Sequence, residues 1–317
     1  MMINKDLSKE KNFISVVAYL KNNENDIQNF ALKLDELLKD KFEAYEFVFV
    51  NDNSDDKTKS KLKEISDSLN GNVVVIDLAY SHGLEVAMLA GVDFAIGDFV
   101  FEFDTVKINY DLEDVLNIYY KSLEGFDIVA ATPKGIQNKS SQIFYSFLNS
   151  VSYRKMELTT EVFRVVSRRA LNRVLKNKEK LRYRKALYHY SGFNTFIYEY
   201  EPISKNRVVS NLSIKEKVNL GLDVLVNFSD IGIKIAINIS ILFLLITLFT
   251  LSYTMYSYLT LDKIQSGWTT MMLFMSVSFS GIFFVLAILA KYMTVTMIEI
   301  KDRPSYVFKG IDRLSKK

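Results

Sequence analysis

Three clusters of polar and acidic residues stand directly after apolar runs in the first half of this sequence. They occupy positions 21–26 (KNNEND), 51–58 (NDNSDDKT) and 104–111 (DTVKINYD). Asparagine and carboxylate side chains can hydrogen-bond a base and a ribose, and a carboxylate can hold a divalent cation that binds a pyrophosphate. These residue types therefore predict a nucleotide site whose phosphates are bound through a cation.

The elements that must position these clusters alternate between strand and helix. Apolar runs predict buried parallel strands, and the amphipathic stretches between them predict helices. Ligands of such sheets bind beyond the carboxyl ends of the strands, which is where the three clusters fall. We therefore predict an α/β fold with a Rossmann-like, doubly wound and mainly parallel sheet. The predicted strands are 13–20, 45–51, 72–78, 98–104 and 126–132, and the predicted helices include 26–38, 58–69 and 84–95.

The composition and the motifs exclude several other kinds of site. The sequence has no cysteine and two histidines, His82 and His189, so it offers neither a thiolate site nor a histidine-based metal centre. No glycine-rich loop follows the first predicted strand, which excludes a Walker A or GxGxxG site. The net charge of +3 does not indicate a nucleic-acid partner. One alternative stays open, because residues 51–58 are also typical of a turn and a helix N-cap.

Two long uncharged runs near the carboxyl end predict an anchor in the lipid bilayer. They cover positions 235–261 and 264–290, and each is longer than the roughly 20 apolar residues that span a membrane. Basic residues flank the pair, which by the positive-inside rule predicts a multi-pass protein of the cell (inner) membrane with both termini cytoplasmic. The predicted parts are a cytoplasmic domain (1–209), a juxtamembrane amphipathic helix (210–230), two transmembrane helices (about 233–259 and 267–294, within 231–298) and a basic cytoplasmic tail (299–317).

Four stretches of the sequence resemble those of the inverting GT-A glycosyltransferases of family 2. They are 14–27 (ISVVAYLKNNENDI), 46–58 (EFVFVNDNSDDKT), the long ungapped 78–104 (LAYSHGLEVAMLAGVDFAIGDFVFEFD) and 299–308 (EIKDRPSYVF). Within that family the chain is similar to the membrane-anchored polyprenyl-phosphate sugar transferases, the group of dolichol-phosphate mannose synthase, GtrB and ArnC. The resemblance extends over about 12–312 and implies a GT-A cytoplasmic domain followed by a transmembrane hairpin.

The resemblance implies which residues bind the nucleotide sugar. Carried over by position, these are Asn22, Glu24, Asp52 and Asp104, of which Asp52 matches the acid that hydrogen-bonds the nucleotide base. Lys21 stands where the family has tyrosine. Asp104 matches the first acid of the family's Asp-x-Asp pair, which holds Mg²⁺ or Mn²⁺, but the second position is Val106. We therefore expect a metal held by Asp104 alone, which makes the cation weakly bound or dispensable.

Basic residues near the matched motifs are candidates for the remaining charges. Lys107 could add a fixed positive charge beside the leaving diphosphate, although a solvated lysine is the alternative interpretation. Asp111 and Asp114 are further candidates for contact with a cation. Arg164 lies in a further stretch that resembles a family motif, 163–171 (FRVVSRRAL), and Arg207 precedes a reduced family element at 210–212 (SNL). Both could bind an anionic acceptor phosphate, because guanidinium binds phosphate through two hydrogen bonds.

The reaction implied by the resemblance is inverting transfer of a sugar from a nucleotide-diphosphate sugar to an undecaprenyl-type polyprenyl phosphate. It would occur at the cytoplasmic membrane face and serve envelope polysaccharide or glycan modification. Such an acceptor brings its own charge, since a phosphate monoester has a second pKa of about 6. Two alternatives stay open: a catalytically impaired paralogue that acts as a binding or assembly subunit, and a transferase with a lipid-linked hydroxyl acceptor. Relatives often assemble through membrane helices, so a homo-oligomer is a further expectation.

Overall fold

The computed structural model describes residues 9–135, 161–176, 184–204, 267–300 and 306–314, together with scattered positions between 235 and 256. The chain divides into two compact units. One contains Met1–Ser146, Met156–Leu212 and Arg303–Lys317, and the other contains Phe147–Lys155 and Ser213–Asp302.

Strands and helices alternate along the first unit, as the apolar runs predict. The strands are β1 (Ile14–Leu20), β2 (Tyr45–Asn51), β3 (Asn72–Leu78), β4 (Phe99–Phe103), β5 (Ile128–Pro133), β6 (Phe163–Ser167), β7 (Thr195–Tyr200) and β8 (Phe308–Leu314). The helices are α1 (Ile27–Lys41), α2 (Thr58–Ser66), α3 (Leu84–Phe94), α4 (Leu112–Leu123), α5 (Arg168–Lys176) and α6 (Arg184–Tyr190). The second unit contains α7 (Trp268–Ile300).

The strands form one eight-stranded sheet in the order β7-β5-β6-β4-β1-β2-β3-β8. β4, β1, β2 and β3 run parallel to one another, as do β5 and β7. β6 runs antiparallel to β4 and β5, and β8 runs antiparallel to β3. The predicted α/β architecture is thus confirmed as a mixed sheet, with the parallel part at its centre.

Burial explains why the sequences of the central strands are continuously apolar and do not alternate between apolar and polar residues. Every residue of β1 and of β2 is buried, so both faces of these strands are covered. On one face, α1 buries Phe30, Leu34 and Leu38, the residues whose helical spacing predicted it. The ring of Phe30 meets that of Phe103 edge to face at 5.1 Å, which fixes the end of β4 against α1.

The charges of residues 299–317 predict a basic tail, and part of this tail is strand β8. Its Ile311 pairs with Ile76, and the carboxylate of Asp312 lies 3.2 Å from the amines of both Lys59 and Lys63. The chain therefore returns to the first unit and covers the β3 edge of the sheet. An edge strand that carries several charges also resists pairing with other chains.

The predicted membrane segments are only partly described. Helix α7 coincides with most of the second predicted transmembrane helix (267–294), whereas the amphipathic helix (210–230) and most of 233–259 lie outside the described residues. Among the residues that the structure describes, no helix combines the length and the apolar character needed to cross a membrane. The predicted boundaries at 209, 230 and 298 stay predictions.

Candidate active site

The sheet topology brings the three polar clusters to one edge. β4, β1 and β2 are neighbours, with Ala18 paired to Phe103 and Leu20 paired to Asn51. Because these strands are parallel, the residues that follow them emerge at the same edge of the sheet. The predicted clustering of residues 21–26, 51–58 and 104–111 therefore has a direct basis in the strand order.

Asp52, the predicted contact of the nucleotide base, is fully buried and already bonded to protein donors. Its Oδ1 accepts a hydrogen bond from the backbone N–H of His82 at 2.7 Å. Its Oδ2 accepts from the Ser81 hydroxyl at 2.8 Å, the Gly83 N–H at 3.1 Å and the Tyr19 phenol at 3.1 Å. In this structure Asp52 thus holds the loop between β3 and α3 against the end of β2, and base binding by its carboxylate stays a prediction.

Asn22 joins the first cluster to the second. Its side-chain oxygen accepts from the N–H of Asp55 at 2.9 Å, and its own N–H donates to the Ser54 hydroxyl at 3.0 Å. Both Asn22 and Asn53 have positive φ, 55° and 52°, a conformation that asparagine tolerates better than most residues. The loops after β1 and β2 are therefore held together by asparagine at their tightest points.

Glu24 makes the second connection between these loops. Its Oε2 accepts from the N–H of Lys57 at 3.0 Å, and its N–H donates to Asp56 Oδ2 at 3.0 Å. Asp56 also accepts from the hydroxyl and the N–H of Thr58, at the start of α2. Burial, the largest influence, raises the pKa of Asp56, but these hydrogen bonds together lower that pKa below its ordinary value. Residues 51–58 thus also form the turn that leads into α2.

Lys21 lies at the junction of the first two clusters, and sequence analysis assigned it no role. Its amine donates to the carbonyl oxygens of Asp52 at 2.9 Å and Asn53 at 2.7 Å. The only sequence signal was the departure from the family pattern, which has tyrosine at this position. A partly buried ammonium group here places a fixed positive charge at the ends of β1 and β2.

Asp104, the predicted metal ligand, is held by two arginines. It follows β4, and 11% of its side chain is exposed. Its Oδ2 accepts from Arg164 Nη2 at 3.1 Å, and its Oδ1 accepts from Arg184 Nη2 at 2.7 Å. Both carboxylate oxygens are therefore hydrogen-bonded to guanidinium groups, which is the strong, charge-assisted form of this bond.

Arg184, at the start of α6, was missed by sequence analysis. Its side chain is fully buried, and its Nε donates to Glu85 at 3.1 Å while its Nη1 pairs with Glu102. Burial alone would lower the pKa of Arg184, but the charges of Glu85, Asp104 and Glu102 hold that pKa well above its ordinary value. Nothing in the local sequence could reveal this role, because its partners stand 80 or more positions earlier.

Arg164, predicted to bind an acceptor phosphate, lies inside the protein with its side chain 1% exposed. It pairs with Asp104, with Glu161 at 3.3 Å and with Glu102 at 3.8 Å. Burial opposes its charge, but these carboxylates raise the pKa of Arg164 above its ordinary value. Its predicted role stays a prediction, and Arg207 lies outside the described residues.

These side chains form one buried assembly, which we call the arginine–carboxylate cluster. It consists of Glu85, Glu102, Asp104, Glu161, Arg164 and Arg184. The phenol of Tyr188 completes it by donating to Glu102, and burial holds the pKa of that phenol well above its ordinary value. Each carboxylate of the cluster therefore has a guanidinium partner in the low-dielectric interior.

The other residues of the third polar cluster have different surroundings. Lys107 is exposed, so its side-chain amine is accessible from solvent. Its backbone N–H donates to the Thr105 hydroxyl at 3.3 Å. Val106 is 1% exposed and belongs to the hydrophobic core. Asp111 accepts from the N–H of Glu113 and caps α4. Position 106 therefore supplies packing where the family has its second acid.

The α/β sheet, with acidic and basic side chains gathered at the carboxyl ends of its central strands, places this protein among α/β enzymes with a strand-end active site. The chain belongs to glycosyl transferase family 2: the family model matches residues 15–175, more than half of its 317 residues. The protein is therefore a glycosyltransferase, and the family predicted from its motifs is confirmed.

Curated relatives match this chain over most of their length. An uncharacterized glycosyltransferase of Bacillus subtilis, YkcC, is 27% identical over 304 residues, which is 92% of each chain. The SfII prophage-derived bactoprenol glucosyl transferase of Shigella flexneri is also 27% identical, over 314 residues that cover 95% of this chain and 98% of that one.

Likenesses to solved structures are more distant. Glucosyl-3-phosphoglycerate synthase from Mycobacterium tuberculosis, in complex with Mn²⁺, uridine-diphosphate and phosphoglyceric acid, is 15% identical with a TM-score of 0.45. That likeness covers 68% of this chain and 76% of that chain.

Proposed function

We propose that this glycosyltransferase moves a sugar, with inversion, from a nucleotide-diphosphate sugar to a polyprenyl phosphate. The observation that carries the proposal is the end-to-end similarity to a bactoprenol glucosyl transferase, over 95% of this chain and 98% of that one. Similarity of this extent includes the region after residue 209, where the catalytic domain is predicted to end. An enzyme with the same domain order is therefore expected to use the same chemical class of acceptor.

The state of the acids around Asp104 supports an anionic acceptor. A hydroxyl acceptor needs a general base, whereas a phosphate monoester is already ionised at neutral pH, with a second pKa of about 6. Glu85 is paired with Arg184, and Glu161 lies 3.3 Å from Arg164. Both acids are therefore already paired with guanidinium groups of the protein, so this site favours an acceptor that brings its own negative charge.

The proposed location is the cytoplasmic face of the cell (inner) membrane, where the product would supply envelope polysaccharide or glycan modification. Two observations support it: the uncharged runs at 235–261 and 264–290, and their basic flanks. A polyprenyl phosphate is itself confined to a bilayer, so an anchored catalytic domain meets its acceptor without leaving the membrane surface.

The test is release of nucleoside diphosphate by the full chain in detergent, with a panel of nucleotide sugars, with and without polyprenyl phosphate. We expect release that depends on the lipid phosphate, and Asp104→Ala should abolish it because the variant leaves two buried guanidinium groups without their shared carboxylate. The matched control is Asp67→Ala, an exposed aspartate after α2, which should keep full activity. Retained turnover in Asp104→Ala would contradict the assignment of Asp104.

A second function is favoured by one observation, the buried Val106 at the family's second acid position. A catalytically impaired paralogue would bind nucleotide and assemble with a partner while releasing no diphosphate. If the folded protein released no nucleoside diphosphate with any donor of the panel, that role would be supported. Release that requires a lipid-linked sugar hydroxyl in place of polyprenyl phosphate would instead support the hydroxyl-acceptor alternative.

A further inference from the structure

The surroundings of Asp104 do not fit the divalent cation that the family pattern implies. A metal ligand must offer an oxygen lone pair to the ion. Here Oδ1 of Asp104 meets an N–H of Arg184 at 2.7 Å, and Oδ2 meets an N–H of Arg164 at 3.1 Å. A cation at either oxygen would stand beside a positive guanidinium group, and the repulsion between the two is strong in a buried site.

Among the described residues near Asp104, the other acids already have donors of their own. Val106 is packed in the hydrophobic core. The carboxylate of Asp111 accepts from the N–H of Glu113 at 3.1 Å, and that of Asp114 accepts from the Tyr198 phenol at 2.9 Å. Within the described ranges, no group of three or more His, Cys, Asp or Glu side chains is arranged to hold a metal ion. Mg²⁺ and Mn²⁺ sites need such oxygen ligands.

Arg184 is surrounded by carboxylates in the way that a bound cation would be. Three of its nitrogens contact three carboxylates from separate places in the chain: Glu85 on α3, Glu102 on β4 and Asp104 after β4. Its backbone N–H adds a bond to Glu85 at 3.0 Å, so the start of α6 is fixed to the same group. A planar guanidinium with five donors can gather carboxylates in this way, whereas the point charge of a lysine cannot.

We propose that Arg184 is a positioning residue that takes the place of the divalent cation on Asp104. The guanidinium supplies from within the chain the positive charge that gathers these carboxylates. The consequence is that this enzyme binds its nucleoside diphosphate without a metal ion. The consequence rests on the proposed function, because it requires a nucleotide ligand, but the statement about the cation does not.

The first experiment measures Mn²⁺ binding directly. The full chain in detergent is titrated into Mn²⁺, and the free ion is followed by its electron paramagnetic resonance signal. We expect the wild-type protein to leave that signal unchanged. Loss of one equivalent of free Mn²⁺ per chain, at micromolar concentrations, would overturn the proposal.

The second experiment uses Arg184→Gln, which removes the charge and leaves three carboxylates facing one another. We expect this variant to bind one Mn²⁺ and to gain melting temperature in Mn²⁺, while the wild type does neither. The matched control is Arg169→Gln, which removes the arginine from the ion pair with Asp127 and should bind no metal. A folded Arg184→Gln protein that binds no Mn²⁺ would contradict the role given to Arg184, and the wild-type titration decides the matter if the variant does not fold.

The third experiment separates this inference from the proposed function. Binding of nucleoside diphosphates to the wild type is measured by calorimetry in Mg²⁺ and in EDTA. We expect dissociation constants that agree within about twofold, and a loss of tenfold or more in EDTA would overturn the inference. If no nucleotide bound in either buffer, the proposed function would fail, while the Mn²⁺ titration would still decide the role of Arg184.

Discussion

The two aspartates at the carboxyl edge of the sheet are held in opposite ways. Asp52 accepts hydrogen bonds from neutral donors, the N–H groups of His82 and Gly83 and two hydroxyl groups. Asp104 accepts from two charged guanidinium groups. Both carboxylates are almost wholly removed from water, so each depends on its partners to replace the lost hydration.

The difference divides the site into a loop half around Asp52, which is held by loop donors, and an ion-paired half around Asp104, which is held by arginines. Three partners of Asp52 lie about 30 positions later, in the loop after the next strand, and the fourth, Tyr19, lies on the neighbouring strand β1. Those of Asp104 lie 60 and 80 positions away, on β6 and α6. Removing one partner from the ion-paired half leaves a bare charge in the interior, whereas removing one from the loop half leaves an unbonded dipole. We therefore expect substitutions in the ion-paired half to lower the free energy of unfolding more than substitutions in the loop half.

The largest effect should follow from Arg184→Gln. Glu102 is fully buried, and loss of the guanidinium leaves it with a phenol and a longer contact to Arg164. Breaking a buried ion pair by removing one partner costs about 3–5 kcal/mol. Denaturant unfolding of the full chain should show that loss, whereas the exposed Arg173→Gln should change the free energy of unfolding by less than about 0.5 kcal/mol. Equal stability of the two variants would mean that the cluster is not held by charge.

A smaller loss should follow from Asp52→Ala. The variant leaves the N–H groups of His82 and Gly83 without their acceptor, and an unsatisfied buried donor costs about 1–3 kcal/mol. Nucleotide affinity should fall as well, because the loop between β3 and α3 is no longer fixed to β2. The control is Asp55→Ala, an exposed residue of the same polar cluster. A variant with wild-type stability and weaker nucleotide binding would show that Asp52 contacts the nucleotide directly.

The loop half could be predicted from the sequence and the ion-paired half could not. The strands around Asp52 are runs of consecutive buried residues, and polar residues that follow parallel strands must emerge at one edge. Ion pairs such as Arg184 with Asp104 leave no periodic trace, since their members are 80 positions apart. The tail was predicted from its charge, and the pairing of Ile311 with Ile76 became visible only in the sheet.

A third and weaker effect concerns the link between β8 and the loop that binds Asp52. The His82 ring accepts from the N–H of Val307 at 3.3 Å, contacts the Tyr80 carbonyl at 2.7 Å and stacks on the Tyr80 ring at 4.1 Å. His82→Phe keeps the stacking and loses both polar contacts, each worth about 0.5–1.5 kcal/mol at most. Hydrogen exchange should quicken in β8 (Phe308–Leu314) and stay unchanged in β1. Unchanged exchange in β8 would mean that its pairing with β3 is enough to protect its amides without the His82 contacts.

The smallest effect is a pH dependence in the loop half. The pKa of Asp56 lies below its ordinary value of about 3.9, because its hydrogen bonds outweigh the effect of burial. The ionised form is therefore favoured by folding: its contribution to stability is present above pH 4 and is lost as the pH falls through the folded pKa. Asp56→Asn cannot titrate, so its melting temperature should fall less steeply than that of the wild type between pH 5 and pH 3. Parallel curves would show that Thr58 and Glu24 hold the neutral side chain equally well.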